Sequence, residues 1–289
     1  MRTQSVTVAP DVDLVVDVWD TVRGEGVRQA SVPFVLVHGL ASNARLWDGV
    51  ACSLAERGQP AVTVDLRGHG RSAKPDGPYD MATVADDVAA VIRALDLDRP
   101  VVAGQSWGGN VVLELALREP ALVRGVVCVD GGWLEPCASF TSWEACRETL
   151  APPRLAGLHR DEIEAYIRSA HGDWPESGIE GALANFEVRE DGTIAPWLTF
   201  DRHMAVLQGL WDHRPSEIYP RIDVPVLLVP AHTGEHSRTG DKREGVRLAT
   251  ASLPRVRERW FTGDHDIHAQ HPVELADVML EHVASGFLA

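Results

Sequence analysis

Cationic side chains are scarce in this chain. Among 289 residues, 27 Lys plus Arg face 42 Asp plus Glu, a formal charge of −15, and such a surface repels nucleic acid and anionic membranes alike. Long apolar runs are missing as well: no window approaches the roughly 20 residues that cross a bilayer. Cysteine is sparse. Cys52, Cys128, Cys137 and Cys146 show no C-x-x-C spacing, which leaves zinc-ribbon and dithiol readings without support and suits reduced, mostly buried apolar side chains. The first residues, MRTQSVTVAPDVDL, lack the apolar block of a secretory leader, so a cytoplasmic protein is expected. Gly68 and Gly70 punctuate a turn, but without the G-x-x-x-x-G-K spacing of a phosphate cradle.

What is present is ordinary globular composition, 45% hydrophobic and 24% charged. The length fits one large α/β unit carrying an insertion. Its centre is Pro100 to Leu117, PVVAGQSWGGNVVLELAL. An apolar run ending at Ala103 meets Gly104-Gln105-Ser106-Trp107-Gly108, and a helix-periodic segment follows at once. Ser106 therefore stands where a strand turns sharply into a helix, the context in which G-x-S-x-G marks a nucleophile. Such a turn strains the serine backbone and tolerates no bulk two positions to either side.

Ser5–Val8 and Leu14–Trp19 alternate in the strand period around Pro10-Asp11, which predicts an edge hairpin. Val32–Val37, Pro60–Val64, Val123–Val129, Val224–Val229 and Val256–Phe261 read as further strands. Segments near Arg45–Glu56, Met81–Leu95, Asp241–Leu253 and Pro272–Val283 read as helices between and after them. This strand–helix rhythm predicts an α/β fold. Residues 133–219 interrupt it and read as a mostly helical cap between core portions 1–132 and 220–289. Five of the nine tryptophans fall there, most of them expected in the cap's own small core.

A serine needs a base to take its proton, and the base needs a third group to orient it. The loop Thr262-Gly263-Asp264-His265-Asp266-Ile267-His268-Ala269-Gln270-His271 offers His265, with His268 and His271 as rivals. A metal cluster is disfavoured there because one short loop would supply every ligand. Asp130, at the carboxyl end of the strand beside the serine's, is a candidate acid. Leu40 and Trp107 are the expected oxyanion donors through their main-chain N–H groups. Gly39 leaves that peptide room to approach, and His38 reads as a loop histidine bonded to backbone. His38, Gly39, Trp133 and Trp143 are the residues expected to line the substrate pocket.

His38-Gly39, Asp65-Leu66-Arg67-Gly68-His69-Gly70-Arg71-Ser72, Gly104-Gln105-Ser106-Trp107-Gly108-Gly109 and Asp264-His265 with Pro272 after it together resemble the α/β-hydrolase superfamily. The resemblance implies a mostly parallel eight-stranded sheet with flanking helices, a helical cap inserted after the sixth strand, and a Ser…Asp…His order. Its spacing from histidine to proline selects His265 over His268. Two departures stand out: Asp264 replaces the usual glycine, and Pro230–His236 contains no aspartate, which leaves Asp130 and Glu235 as alternative acids. Acyl transfer without metal or organic cofactor is implied, and the expected substrate is a carboxylic ester or lactone of a hydrophobic small molecule. Carbon–carbon hydrolysis, amide or iminopeptidase-type cleavage, acyl transfer to an alcohol, perhydrolysis and non-catalytic ligand binding are the alternatives. Haloalkane and epoxide chemistry are disfavoured, because similar proteins of those kinds carry aspartate where this chain has Ser106.

Overall fold

The structure, a computed structural model, describes residues 1–21, 31–233 and 238–288, the side chains of 238–241 excepted. Eight strands form the main sheet: β1 (Arg2–Ala9), β2 (Val12–Trp19), β3 (Phe34–Val37), β4 (Ala61–Val64), β5 (Val101–Gln105), β6 (Gly125–Val129), β7 (Val226–Val229) and β8 (Val256–Glu258). Their spatial order is β1-β2-β4-β3-β5-β6-β7-β8. β1 pairs antiparallel with β2 and β2 antiparallel with β4; the remaining pairs are parallel. The five strands β3 to β7 are buried along their whole length, as continuous apolar runs covered on both faces must be.

Alternation along those strands feeds two cores. Val35, Val37, Val62, Val64, Val102, Val126 and Leu228 face one layer, with α2 (Met81–Ala94) and α3 (Trp107–Arg118) packed over them. Phe34, Leu36, Val101, Ala103, Val127 and Val229 face the other, against α1 (Asp48–Glu56) and α5 (Pro272–Ala284). α4 (Arg238–Ser252) lies between β7 and β8 in the chain. Among the described residues, no helix is long and apolar enough to cross a membrane.

Residues 133–219 add no strand to the main sheet among the described residues. They hold six helices, the longest being Arg160–Ala170 and Phe200–Asp212, and one antiparallel hairpin, Phe186–Val188 with Ile194–Pro196. Helical periodicity alone misses that hairpin. Its turn carries Asp191-Gly192, with Gly192 at φ 80° and the Asp191 carboxylate accepting from both N–H and O–H of Thr193, an Asp-Gly hairpin signal. Four of the five tryptophans divide between two environments, and the fifth, Trp197, lies under Lys74 Nζ, 4.9 Å from its ring centroid. Trp174 joins Ile163, Ile167, Ile179 and Ile194 in a small local cluster, whereas Trp133, Trp143 and Trp211 belong with the main core.

The last expected strand, Val256–Phe261, is two pieces. Val256–Glu258 pairs with β7, and Phe261–Thr262 pairs instead with Ala231–His232 in a separate parallel ladder. Pro230 follows β7 and has no N–H to give the main ladder, so the pairing is interrupted there and resumes beyond it.

Candidate active site

Strand register gathers the site before any side chain is considered. Val37 lies opposite Gly104, Gln105 opposite Val129, and Val129 opposite Val229. The parallel strands therefore end together, and His38-Gly39-Leu40, Ser106, Asp130 and Ala231 emerge along one edge of the sheet, the carboxyl edge where open α/β sheets place their sites.

Ser106 has φ 53° and ψ −122°, a conformation that L residues adopt only under constraint. Its N–H donates to Val129 O at 2.9 Å and its carbonyl accepts from Gly109 N at 2.9 Å, so both flanks of the turn are fixed. A Cβ on Gly104 would stand 2.1 Å from the Gly108 carbonyl oxygen, which is why the sharp turn excludes side chains there. A Cβ on Gly39 would lie 2.3 Å from Gln105 Oε1 and 3.1 Å from Ser106 Cβ. The turn after β3 thus presses directly on the serine. Leu40 is half-buried there, and Trp107 opens α3 with its ring stacked on His69, centroids 5.6 Å apart. Among the described residues, neither the Leu40 nor the Trp107 amide donates to a loop or turn carbonyl.

Asp130 is the second strained residue on this edge, at φ 42°. Its carboxylate is buried and fully engaged: Oδ1 accepts from Ala231 N at 2.9 Å, and Oδ2 accepts from His265 Nδ1 at 2.6 Å and from Lys242 Nζ at 2.7 Å. Burial by itself would raise this carboxyl; the His265 hydrogen bond and charge, together with Lys242, hold it below its ordinary value. For His265, burial pulls downward, while the Asp130 hydrogen bond and the charges of Asp266 and Asp130 more than offset it and leave the imidazole above its ordinary value. With Nδ1 donating to a carboxylate, the proton-accepting nitrogen is Nε2, a tautomer assigned from the hydrogen bond.

The loop bearing His265 is held from two sides. Gln105 Nε2, on the residue before the serine, donates to His265 O at 3.1 Å. Asp264 accepts from Trp174 Nε1 at 2.9 Å through Oδ2 and from Asp266 N at 2.8 Å through Oδ1. The residue that departs from the resembled pattern therefore ties the histidine loop to residues 133–219. No hydrogen bond joins Ser106 Oγ to His265 among the described residues; catalytic bonds of this kind often close only around substrate.

The rival histidines sit elsewhere. His268 is wholly buried against Trp47, centroids 4.6 Å apart, and burial pushes it down to about 3. His271 bridges the short helix Ile267–Gln270 and α5 through its backbone. Glu235, the alternative acid, lies outside the described residues. No group of three or more His, Cys, Asp or Glu side chains is arranged to hold a metal ion among the described residues.

The four residues expected along the pocket have different surroundings. Gly39 abuts Ser106, but the His38 ring is wholly buried, with Nδ1 at 2.7 Å from Gly39 O and Nε2 accepting from Leu66 N at 3.0 Å. It braces the loops after β3 and β4, and burial lowers it to about 4, so it stays neutral. Trp133 is 8% exposed and packs on the main core beside Gly245 of α4. Trp143 is half-buried against Trp211, centroids 5.9 Å apart. Sequence reasoning missed Gln105, Lys242 and Trp174. Lys242 and Trp174 belong to no motif and Gln105 fills a variable position of one, and each matters through a partner 90 or more positions away.

A mostly parallel eight-stranded sheet with a strained serine where its central strand meets a helix defines the class, that of the α/β-fold hydrolases. The chain belongs to the alpha/beta hydrolase family. The family model described as alpha/beta hydrolase fold matches residues 32–155. The chain is 36% identical over 213 residues to 2-(acetamidomethylene)succinate hydrolase of Mesorhizobium japonicum, covering 73% of each protein. It is 40% identical over 223 residues to an esterase of Mycobacterium tuberculosis, covering 75% of this chain and 71% of that one. The crystal structure of E-2-(acetamidomethylene)succinate hydrolase superposes with a TM-score of 0.76 at 22% identity, covering 98% of this chain and 99% of that one, which shows the shared fold. Against an uncharacterized protein of M. tuberculosis the match is 36% over 98 residues, and the chain spans 28% of that protein's length.

Proposed function

We propose that Ser106, His265 and Asp130 act as a catalytic triad that hydrolyses a carboxylic ester or lactone of a hydrophobic small molecule. The observation that carries this reading is the 2.6 Å contact between His265 Nδ1 and Asp130 Oδ2 on the same sheet edge as the strained Ser106. His265 Nε2 takes the hydroxyl proton as Ser106 Oγ attacks the carbonyl carbon. The Leu40 and Trp107 amides receive the oxyanion, each donor worth about 3 kcal/mol. The imidazolium, steadied by Asp130, returns the proton to the leaving alcohol. Water, deprotonated by the same nitrogen, then releases the carboxylic acid and frees the serine.

The esterase relative supports an ester as substrate. Residues 133–219, with their aromatic side chains near the core, serve in this reading as a cap that supplies apolar surface to the substrate. A serine-directed phosphonate should label the wild type at Ser106 and leave Ser106→Ala unlabelled. A panel of chromogenic esters, lactones and aminoacyl amides should show ester or lactone turnover that falls by roughly 10⁶ in that variant. Preference for the amides would move the assignment to amide hydrolysis. Absence of labelling with tight ligand binding would make the protein a receptor on a hydrolase fold.

A further inference from the structure

The Asp130 carboxylate carries one contact that a Ser-His-Asp relay does not call for. Lys242 Nζ donates to Asp130 Oδ2 at 2.7 Å and to Ala231 O at 2.8 Å. The oxygen it touches is the one that His265 Nδ1 touches, while Oδ1 is taken by the Ala231 amide. The ammonium comes from α4, so it joins that helix to the end of β6 and to the residue that restarts pairing after Pro230. The Lys242 side chain is 23% exposed and the Asp130 side chain 0%. Such a pair is poorly screened, and its field reaches the imidazole through a shared oxygen.

We propose that Lys242 is a positioning residue that fixes the rotamer of Asp130 and sets the pH at which His265 becomes a competent base. The proposal rests on the triad assignment. Its physical content is a competition for one oxygen: charge density that Asp130 Oδ2 gives to the ammonium is withheld from the imidazolium. The imidazolium is thereby less stabilised, and His265 reaches its neutral, basic form at lower pH than it would beside an unshared carboxylate. Lys242 acts on His265 in that lowering direction and opposes Asp130 and Asp266. The other groups about this centre are Asp264, Asp266 and His268 on the histidine's own loop and His171 from residues 133–219, 3.8 Å from Asp264. Lys242 is the cation among them that binds the acid directly.

The measurement is the acid limb of kcat/KM against pH for wild type, Lys242→Met and Lys242→Arg. In Lys242→Met the inflection should move upward by about one pH unit, with turnover recovering toward wild type on the alkaline side. Lys242→Arg should keep the wild-type inflection. A second readout needs no turnover: the imidazole of His265 is titrated by NMR in Ser106→Ala and in Ser106→Ala with Lys242→Met, each checked for folding by circular dichroism. The same upward shift is expected there. A folded Lys242→Met whose inflection and imidazole titration both stay at the wild-type pH overturns the proposal, even if turnover falls uniformly. If Ser106→Ala instead retains full hydrolysis, the triad assignment fails, while the NMR pair still reports whether lysine and histidine are coupled.

Discussion

Asp130 shows how much one side chain is asked to do. It adopts φ 42°, buries a charge, and satisfies an amide, an ammonium and an imidazole at once. Strain and desolvation of this order persist only where the surroundings over-determine them. Asp130→Asn keeps the shape but gives His265 Nδ1 an amide where it had an anion. Turnover on the best ester should fall by roughly 10⁴ with little change in KM, as steady-state kinetics would show. Near-normal turnover would transfer the acid's role to Glu235. His38 carries the opposite lesson. Beside the turn that presses on Ser106 it looks functional, yet both ring nitrogens are spent on backbone and its ring never reaches the surface.

Among elements, the loop that ends at α5 is fixed less by its own sequence than by what grips it. Gln105 holds it from the strand that ends before Ser106, and Trp174 holds it from the turn after Arg160–Ala170. Trp174→Phe keeps the ring packing and deletes the N–H donated to Asp264. A neutral donor on a partly exposed carboxylate contributes about 1 kcal/mol, and urea unfolding should register that loss. The looser histidine loop should lower kcat more than it raises KM. The elements themselves were unevenly legible. The buried runs of β3 to β7 and the periodic α2 and α5 stand out because apolar spacing directly encodes burial. The hairpin at Phe186–Val188 and Ile194–Pro196 and the split of the last strand do not, since three-residue and two-residue pairings carry too little pattern to announce themselves.

The whole molecule couples these parts through its two shared cores, and that coupling gives it a pH dependence. His38 and His268 are held neutral by burial, at about 4 and about 3, against an ordinary value of 6.5. Each binds fewer protons folded than unfolded between 6.5 and its lowered value, so stability is present above pH 6.5 and is lost as pH falls through that window. Asp48 acts in the other direction: burial raises it to about 6 from 3.8, and it recovers part of the loss between those values. His69 and His203, also lowered by burial, add to the histidines' side, Asp87 and Asp266, raised by burial, add to the carboxylate's, and the wholly buried histidines leave a net fall toward acid. Thermal unfolding from pH 7 to 4 should show Tm dropping steadily. His268→Leu, which removes a buried ring with both nitrogens unpartnered, should flatten that slope.

By itself the sequence determined the α/β rhythm and the place of Ser106 at a strand-to-helix turn. Those features are local: spacing, turn chemistry and apolar runs act between residues close in the chain. Only the tertiary structure decided that Asp130 meets His265 across 135 positions, that Lys242 shares the same oxygen, and that Asp264 is spoken for by Trp174. Such meetings depend on strand register and on which helix covers which end of the sheet, and no single segment's propensity contains that information.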